Sequence, residues 1–99
     1  MRSFDDPAQA IQIAAGETFV VRLAGNPTTG YTWQASVDSS YLDLVGQEFE
    51  PGGKGVGAGG HEVFRFRARA AGETEIVFEY CRPWDGAARD AARFRVVIG

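Results

Sequence analysis

Residues 62–70 read Glu-Val-Phe-Arg-Phe-Arg-Ala-Arg-Ala, and this alternation of apolar and charged side chains constrains the fold more tightly than any other stretch. A period of two belongs to a strand with one buried and one wet face, whereas a helix would scatter the same residues around its circumference. Phe64, Phe66 and Ala68 are expected to point inward, and Arg65, Arg67 and Arg69 outward. The pattern returns in Thr74 to Tyr80, with Ile76, Phe78 and Tyr80 on one face, and in Ala92 to Ile98, with Phe94, Val96 and Ile98. Thr18 to Ala24 is rich in β-branched and aromatic residues and stops at the turn-forming Gly25-Asn26-Pro27. Ala10 to Ile13, Thr32 to Ser36 and Leu42 to Glu50 are weaker strand candidates, the last with Leu42, Leu44, Val45 and Phe49 as its apolar positions. Only Gly86 to Ala92 reads as a short piece of helix.

Short strands divided by Gly, Pro, Asn and Asp turns, with no long helical pattern between them, predict an all-β fold. The expected architecture is an immunoglobulin-like antiparallel β-sandwich of seven to eight strands. Its expected core is Phe19, Val21, Leu23, Trp33, Phe64, Phe66, Ile76, Phe78, Phe94 and Val96, with Trp33 where such sandwiches hold a large aromatic. At 99 residues the chain is expected to be one domain, 1–99, with 44% hydrophobic and 23% charged residues in the ordinary globular range. The net charge of −3 lacks the basic footprint that draws phosphate backbones or anionic lipid, so neither nucleic acid nor membrane is an expected partner. No apolar run approaches the ~20 residues that span a bilayer. Met1 to Pro7 does not resemble a signal peptide. The expected compartment is therefore cytoplasmic, or periplasmic or secreted if a leader has been removed.

Several apparent sites fail on chemistry. Residues 55–60 match G-x-G-x-x-G, but a dinucleotide site needs a strand before and a helix after it, and here a strand follows. Lys54 is followed by Gly55 rather than the Ser or Thr of a phosphate loop, and Pro27 disqualifies Asn26-Pro27-Thr28 as a glycosylation acceptor. Cys81, the one cysteine, allows no intrachain disulfide and has only His61 as a partner for nucleophilic chemistry. A packed thiol and a solvated imidazole describe that pair better. One His and one Cys cannot assemble a metal site. No enzyme and no cofactor are expected.

Three connections are unusual. Asn26-Pro27-Thr28-Thr29-Gly30-Tyr31 has a fixed φ at Pro27 and allows a positive φ at Gly30, which suits a tight, pre-shaped tip. Gly57-Ala58-Gly59-Gly60 follows a glycine-rich run and leads into the strongest strand. Arg82-Pro83-Trp84 places a large aromatic among polar and small residues, beside an arginine and held by proline, as interface anchors are. In a sandwich of this kind, the B–C, D–E and F–G connections emerge at one end, so the three are expected to form one surface.

In this order, the three segments resemble the signature motifs of the chagasin family of cysteine peptidase inhibitors, and the resemblance spans nearly the whole chain. It implies a tight, reversible inhibitor, monomeric when free, of papain-like cysteine peptidases such as papain and the cathepsin-like enzymes. It further implies that the 26–31 loop enters the catalytic groove as a wedge with Thr28 against the enzyme's Cys and His. The glycine-rich loop would lie along the non-primed side, with Val56 as an apolar contact, and Trp84 would meet an enzyme aromatic on the primed side. The implied contact set is Asn26, Pro27, Thr28, Thr29, Gly30, Tyr31, Val56, Gly57, Ala58, Gly59, Gly60, Arg82, Pro83 and Trp84. A competing reading is an immunoglobulin-like binding or adhesion module that uses the same loops for another ligand.

Overall fold

A computed structural model describes residues 1–25, 29–52, 59–84 and 86–99. The described residues form eight strands: β1 Arg2–Phe4, β2 Ile11–Ile13, β3 Thr18–Gly25, β4 Thr32–Ser36, β5 Leu42–Pro51, β6 Gly60–Ala68, β7 Gly72–Cys81 and β8 Asp90–Ile98. They form two four-stranded sheets, ordered β1-β3-β6-β5 and β2-β8-β7-β4. The pairings β3–β6, β5–β6, β4–β7 and β7–β8 are antiparallel, as the sequence predicts. Two short outer strands differ. β1 runs parallel to β3, and β2 runs parallel to β8.

Alternation dictates the packing. In β6, Phe64, Phe66 and Ala68 are buried while Arg65 and Arg67 are exposed; in β7 and β8, Ile76, Phe78, Phe94, Val96 and Ile98 are buried. All ten residues expected in the core are there. The sheets are joined through aromatic rings. Phe78 of one sheet meets Phe64 and Phe66 of the other edge to face, with centroids 5.0 and 6.2 Å away, and Phe94 of its own sheet at 5.6 Å. These spacings suit the edge-to-face attraction of rings with negative faces and positive rims.

One expectation is corrected. Gly86 to Ala92 is not helical: residues 86–89 are irregular, and β8 already begins at Asp90, paired with Tyr80. The ladder to β7 overrides the modest helix preference of the alanines. Among the apolar residues of β5, only Leu42 is in the core, while Leu44, Val45 and Phe49 remain exposed. β5 is an edge strand, and the register shift between Leu44 and Gly46 breaks its alternation, as a bulge does.

Candidate functional site

The register fixes which connections share an end. Gly25, the last residue of β3, pairs with Gly60, the first of β6, and Gly60 also pairs with Pro51, the last of β5. The connections 26–31 and 52–59 therefore leave one end of this sheet. In the other sheet, Thr32 at the start of β4 pairs with Cys81 at the end of β7, and Tyr80 pairs with Asp90 at the start of β8. Connection 82–89 thus leaves the end at which 26–31 arrives, and all three meet at one end of the sandwich.

Trp33 ties the two sheets together directly below this end. It is 7% exposed, and its indole N–H donates to the Ala24 carbonyl of β3 at 2.9 Å. Its backbone N–H, on edge strand β4, donates at 2.9 Å to the Glu62 carboxylate of β6. Glu62 is itself buried, at 7% exposure. Burial pushes its carboxyl above the usual value, and the Trp33 N–H partly reverses the effect by favouring the charged form. The carboxylate thereby occupies an edge donor that water would otherwise take.

On this base stands an aromatic stack. Tyr80 lies 4.8 Å from Trp33 and 5.3 Å from Tyr31, ring centroid to ring centroid. The Arg82 guanidinium sits 4.4 Å above the Tyr31 ring and 5.9 Å from that of Trp84. Gly30 has φ of +82°, a conformation most side chains resist, and a Cβ there would approach Trp84 Cη2 to 3.0 Å. The indole therefore rests against the glycine backbone while keeping 74% of its surface exposed. A large aromatic held from below and bare above is uncommon on a small domain.

The other motif residues have different positions. Thr29 is exposed, and its hydroxyl accepts the Tyr31 N–H at 3.4 Å. Pro83 is exposed beside Trp84. Gly59 is exposed, and its carbonyl accepts the Gly52 N–H at 3.0 Å, closing the base of the glycine-rich connection. Gly60 is buried: a Cβ there would lie 2.3 Å from the Glu50 carbonyl and 2.7 Å from the Phe49 ring. It supports the loop rather than forming its outer surface. Asn26, Pro27, Thr28, Val56, Gly57 and Ala58 lie outside the described residues. Among the described residues no group of three His, Cys, Asp or Glu side chains could hold a metal. His61 and Cys81 belong to different sheets.

Residues 12–98 match the model of the chagasin family peptidase inhibitor I42. The chain belongs to this family. It is 35% identical to chagasin of Trypanosoma cruzi over 94 residues, which cover 89% of this chain and 86% of chagasin. Its fold is shared by the cysteine protease inhibitor EhICP2 of Entamoeba histolytica, with a TM-score of 0.80 at 19% identity, covering 99% of this chain and 95% of that one. It is also shared by PbICP-C, whose structure is in complex with falcipain-2, with a TM-score of 0.60 at 16% identity, covering 98% and 86%. The chain is thus a peptidase inhibitor of the chagasin family and not an enzyme.

Sequence reasoning missed Glu62, Tyr80 and Arg89 as parts of this end. Glu62 carried a signal, because it stands in phase with Phe64 and Phe66 and so had to point inward. The alternation of β7 gives Tyr80 an inward face but not its place beneath Tyr31. Arg89 lies outside every motif, and its guanidinium comes to 5.2 Å above the Tyr31 ring only because the connection folds back.

Proposed function

We propose that the chain, as a single inhibitor domain, blocks the catalytic groove of papain-like cysteine peptidases with the three connections at this end of the sandwich. The observation that carries the reading is Trp84, with most of its surface presented to solvent yet positioned by Gly30 and Arg82. Presenting a rigid aromatic reduces the ordering entropy that binding must overcome, and such residues concentrate binding energy at interfaces. The capture of PbICP-C with falcipain-2 supports this choice of partner. The proposed contact set comprises Asn26 to Tyr31, Val56 to Gly59, and Arg82 to Trp84, with Gly60 seating the second loop. Thr28 faces the enzyme's nucleophile and fills space there. A threonine hydroxyl without a positioned base is a poor nucleophile, so the block is steric and non-covalent.

The test is Trp84→Ala assayed against papain. Truncating an anchor of this kind costs about 1 to 2 kcal/mol or more of binding, so the inhibition constant should rise at least about tenfold. The melting temperature should stay within about 2 °C of the parent, as for an exposed side chain. An unchanged inhibition constant would remove Trp84 from the interface.

A further inference from the structure

Among the described residues six arginines are ion-paired with carboxylates along the sheets: Arg2 with Glu17, Arg22 with Glu50, Arg65 with Glu48, Arg69 with Asp43, Arg93 with Glu75 and Arg95 with Glu73. Arg67 stands opposite Asp43 in the β5–β6 ladder. Among the described residues, Arg82 and Arg89 alone combine two properties. Neither has a carboxylate partner, and both guanidiniums gather on one ring, 4.4 and 5.2 Å from the Tyr31 centroid.

This arrangement is built by the fold. Tyr31 is stacked on Tyr80, which in turn packs on the buried Trp33, so the ring is fixed from below. The Arg89 N–H donates to the Tyr80 carbonyl at 2.7 Å, which sets the backbone of Arg89 at the mouth of β7 and β8. Arg82 Nε is buried and finds no hydrogen-bond partner among the described residues, beneath the backbone of Gly30. Two like charges on one aromatic ring repel each other, and cation–π attraction of each to the ring offsets that only in part. A carboxylate arriving from outside would relieve the repulsion and accept charge-assisted hydrogen bonds from planar donors suited to it. On a chain of net charge −3, two guanidiniums with no ion-pair partner among the described residues lie beside Trp84, a local reversal of sign.

We propose that Arg82 and Arg89 on Tyr31 form a carboxylate-recognition platform, and that Arg89 is a specificity-determining residue selecting peptidases with an acidic side chain on the rim of the groove. This rests on the inhibitory reading above and adds to it the charge of the preferred partner. Association with such an enzyme is steered electrostatically and is sensitive to salt, while an enzyme with a basic rim is disfavoured.

The experiment compares the parent, Arg89→Gln, Arg89→Glu and Arg89→Lys against two papain-like peptidases, one with Asp or Glu and one with Lys or Arg on the rim. Inhibition constants are measured at ionic strengths of about 50 and 500 mM, with melting temperatures alongside. For the acidic-rim enzyme at low salt, Arg89→Gln should raise the constant severalfold and Arg89→Glu at least about tenfold. Arg89→Lys should stay nearest the parent, and the losses should shrink to about twofold at high salt. For the basic-rim enzyme, Arg89→Glu should leave inhibition unchanged or improve it. If the parent inhibits both enzymes and the variants match it on both, the platform has no role in recognition. Equal losses on both enzymes that follow a fall in melting temperature would make Arg89 merely structural and overturn the proposal. A parent that inhibits neither enzyme would instead overturn the inhibitory reading itself.

Discussion

Glu62 places an ionisable carboxyl inside the sandwich, 2.9 Å from the Trp33 N–H, and that position fixes the sign of a pH effect. Burial raises its folded-state pKa above the ordinary 4.5, so between those two values the folded chain holds a proton that the unfolded chain has released. Its ionisation therefore weakens the fold as pH rises through that window, and acidification to below about 4.5 removes the penalty. Glu17 has the opposite sign. The hydrogen bond from Arg2, aided by the Ala14 N–H, lowers its pKa, so its contribution is lost as pH falls through that lowered value. Glu62→Gln keeps an acceptor for Trp33 and cannot ionise. Denaturation across pH 4 to 7 should find this variant at least as stable as the parent at neutral pH, with its advantage disappearing as the pH falls. A constant difference across the range would refute a buried, titrating carboxylate. Gly30 gives a second prediction at this scale. Gly30→Ala strains a backbone at φ +82° by about 1 kcal/mol and pushes on Trp84, so inhibition should weaken severalfold or more while the melting temperature falls by only a few degrees. Parent-like inhibition by this variant would show that Trp84 does not depend on the glycine.

The strands differ in how far their sequence alone reveals them, and the differences have physical causes. β6, β7 and β8 are read from alternation because each has one face on the core and one in water, so burial imposes the period directly. β1 has three residues, and its parallel partner β3 lies more than ten residues away in the chain, so no local pattern announces it. β5 gives only a weak signal because an edge strand with a bulge keeps apolar residues such as Val45 on the outside, where no core enforces the pattern. Of the candidate site, Trp84 was legible because nothing around it in sequence offered it a core. Arg89 was not, since its position depends on the return of the connection to Tyr80. The inward alternation of β7 makes Phe78 the ring that joins the two sheets. Phe78→Ala should cost about 3 to 5 kcal/mol, more than any single surface change, because the rigid rings around it cannot collapse into the space. Urea denaturation should show a lower midpoint with an unchanged slope. A loss below about 1 kcal/mol would mean that the aromatic cluster repacks freely.

At the scale of the whole molecule, the two sheets hold three connections at one end, and Cys81, the chain's one thiol, sits at the base of that end but outside the three motifs. Cys81 is partly buried at the end of β7, opposite Thr32, and lies in the β4–β7 ladder rather than in any of the motifs. The described part of the first loop offers Thr29, Gly30 and Tyr31, none of which is a nucleophile at neutral pH without a base beside it. The tight proline-to-glycine segment expected from Pro27 to Gly30 would resist the distortion needed to set a peptide carbonyl over the enzyme's thiolate, so cleavage should be slow even with the loop in the groove. Inhibition is therefore expected to be reversible and independent of the thiol. Cys81→Ser should inhibit papain with a constant within about twofold of the parent, since the two side chains differ little in size and the position is no part of the proposed contact set. Thr28→Glu should weaken inhibition by at least about tenfold, because a larger, charged side chain must be desolvated in the groove. After incubation of the parent with excess papain and denaturation, mass spectrometry should recover both chains at their original masses. A covalent adduct, or a cut between Asn26 and Tyr31 accompanied by returning papain activity, would replace the steric block with a substrate-like mechanism.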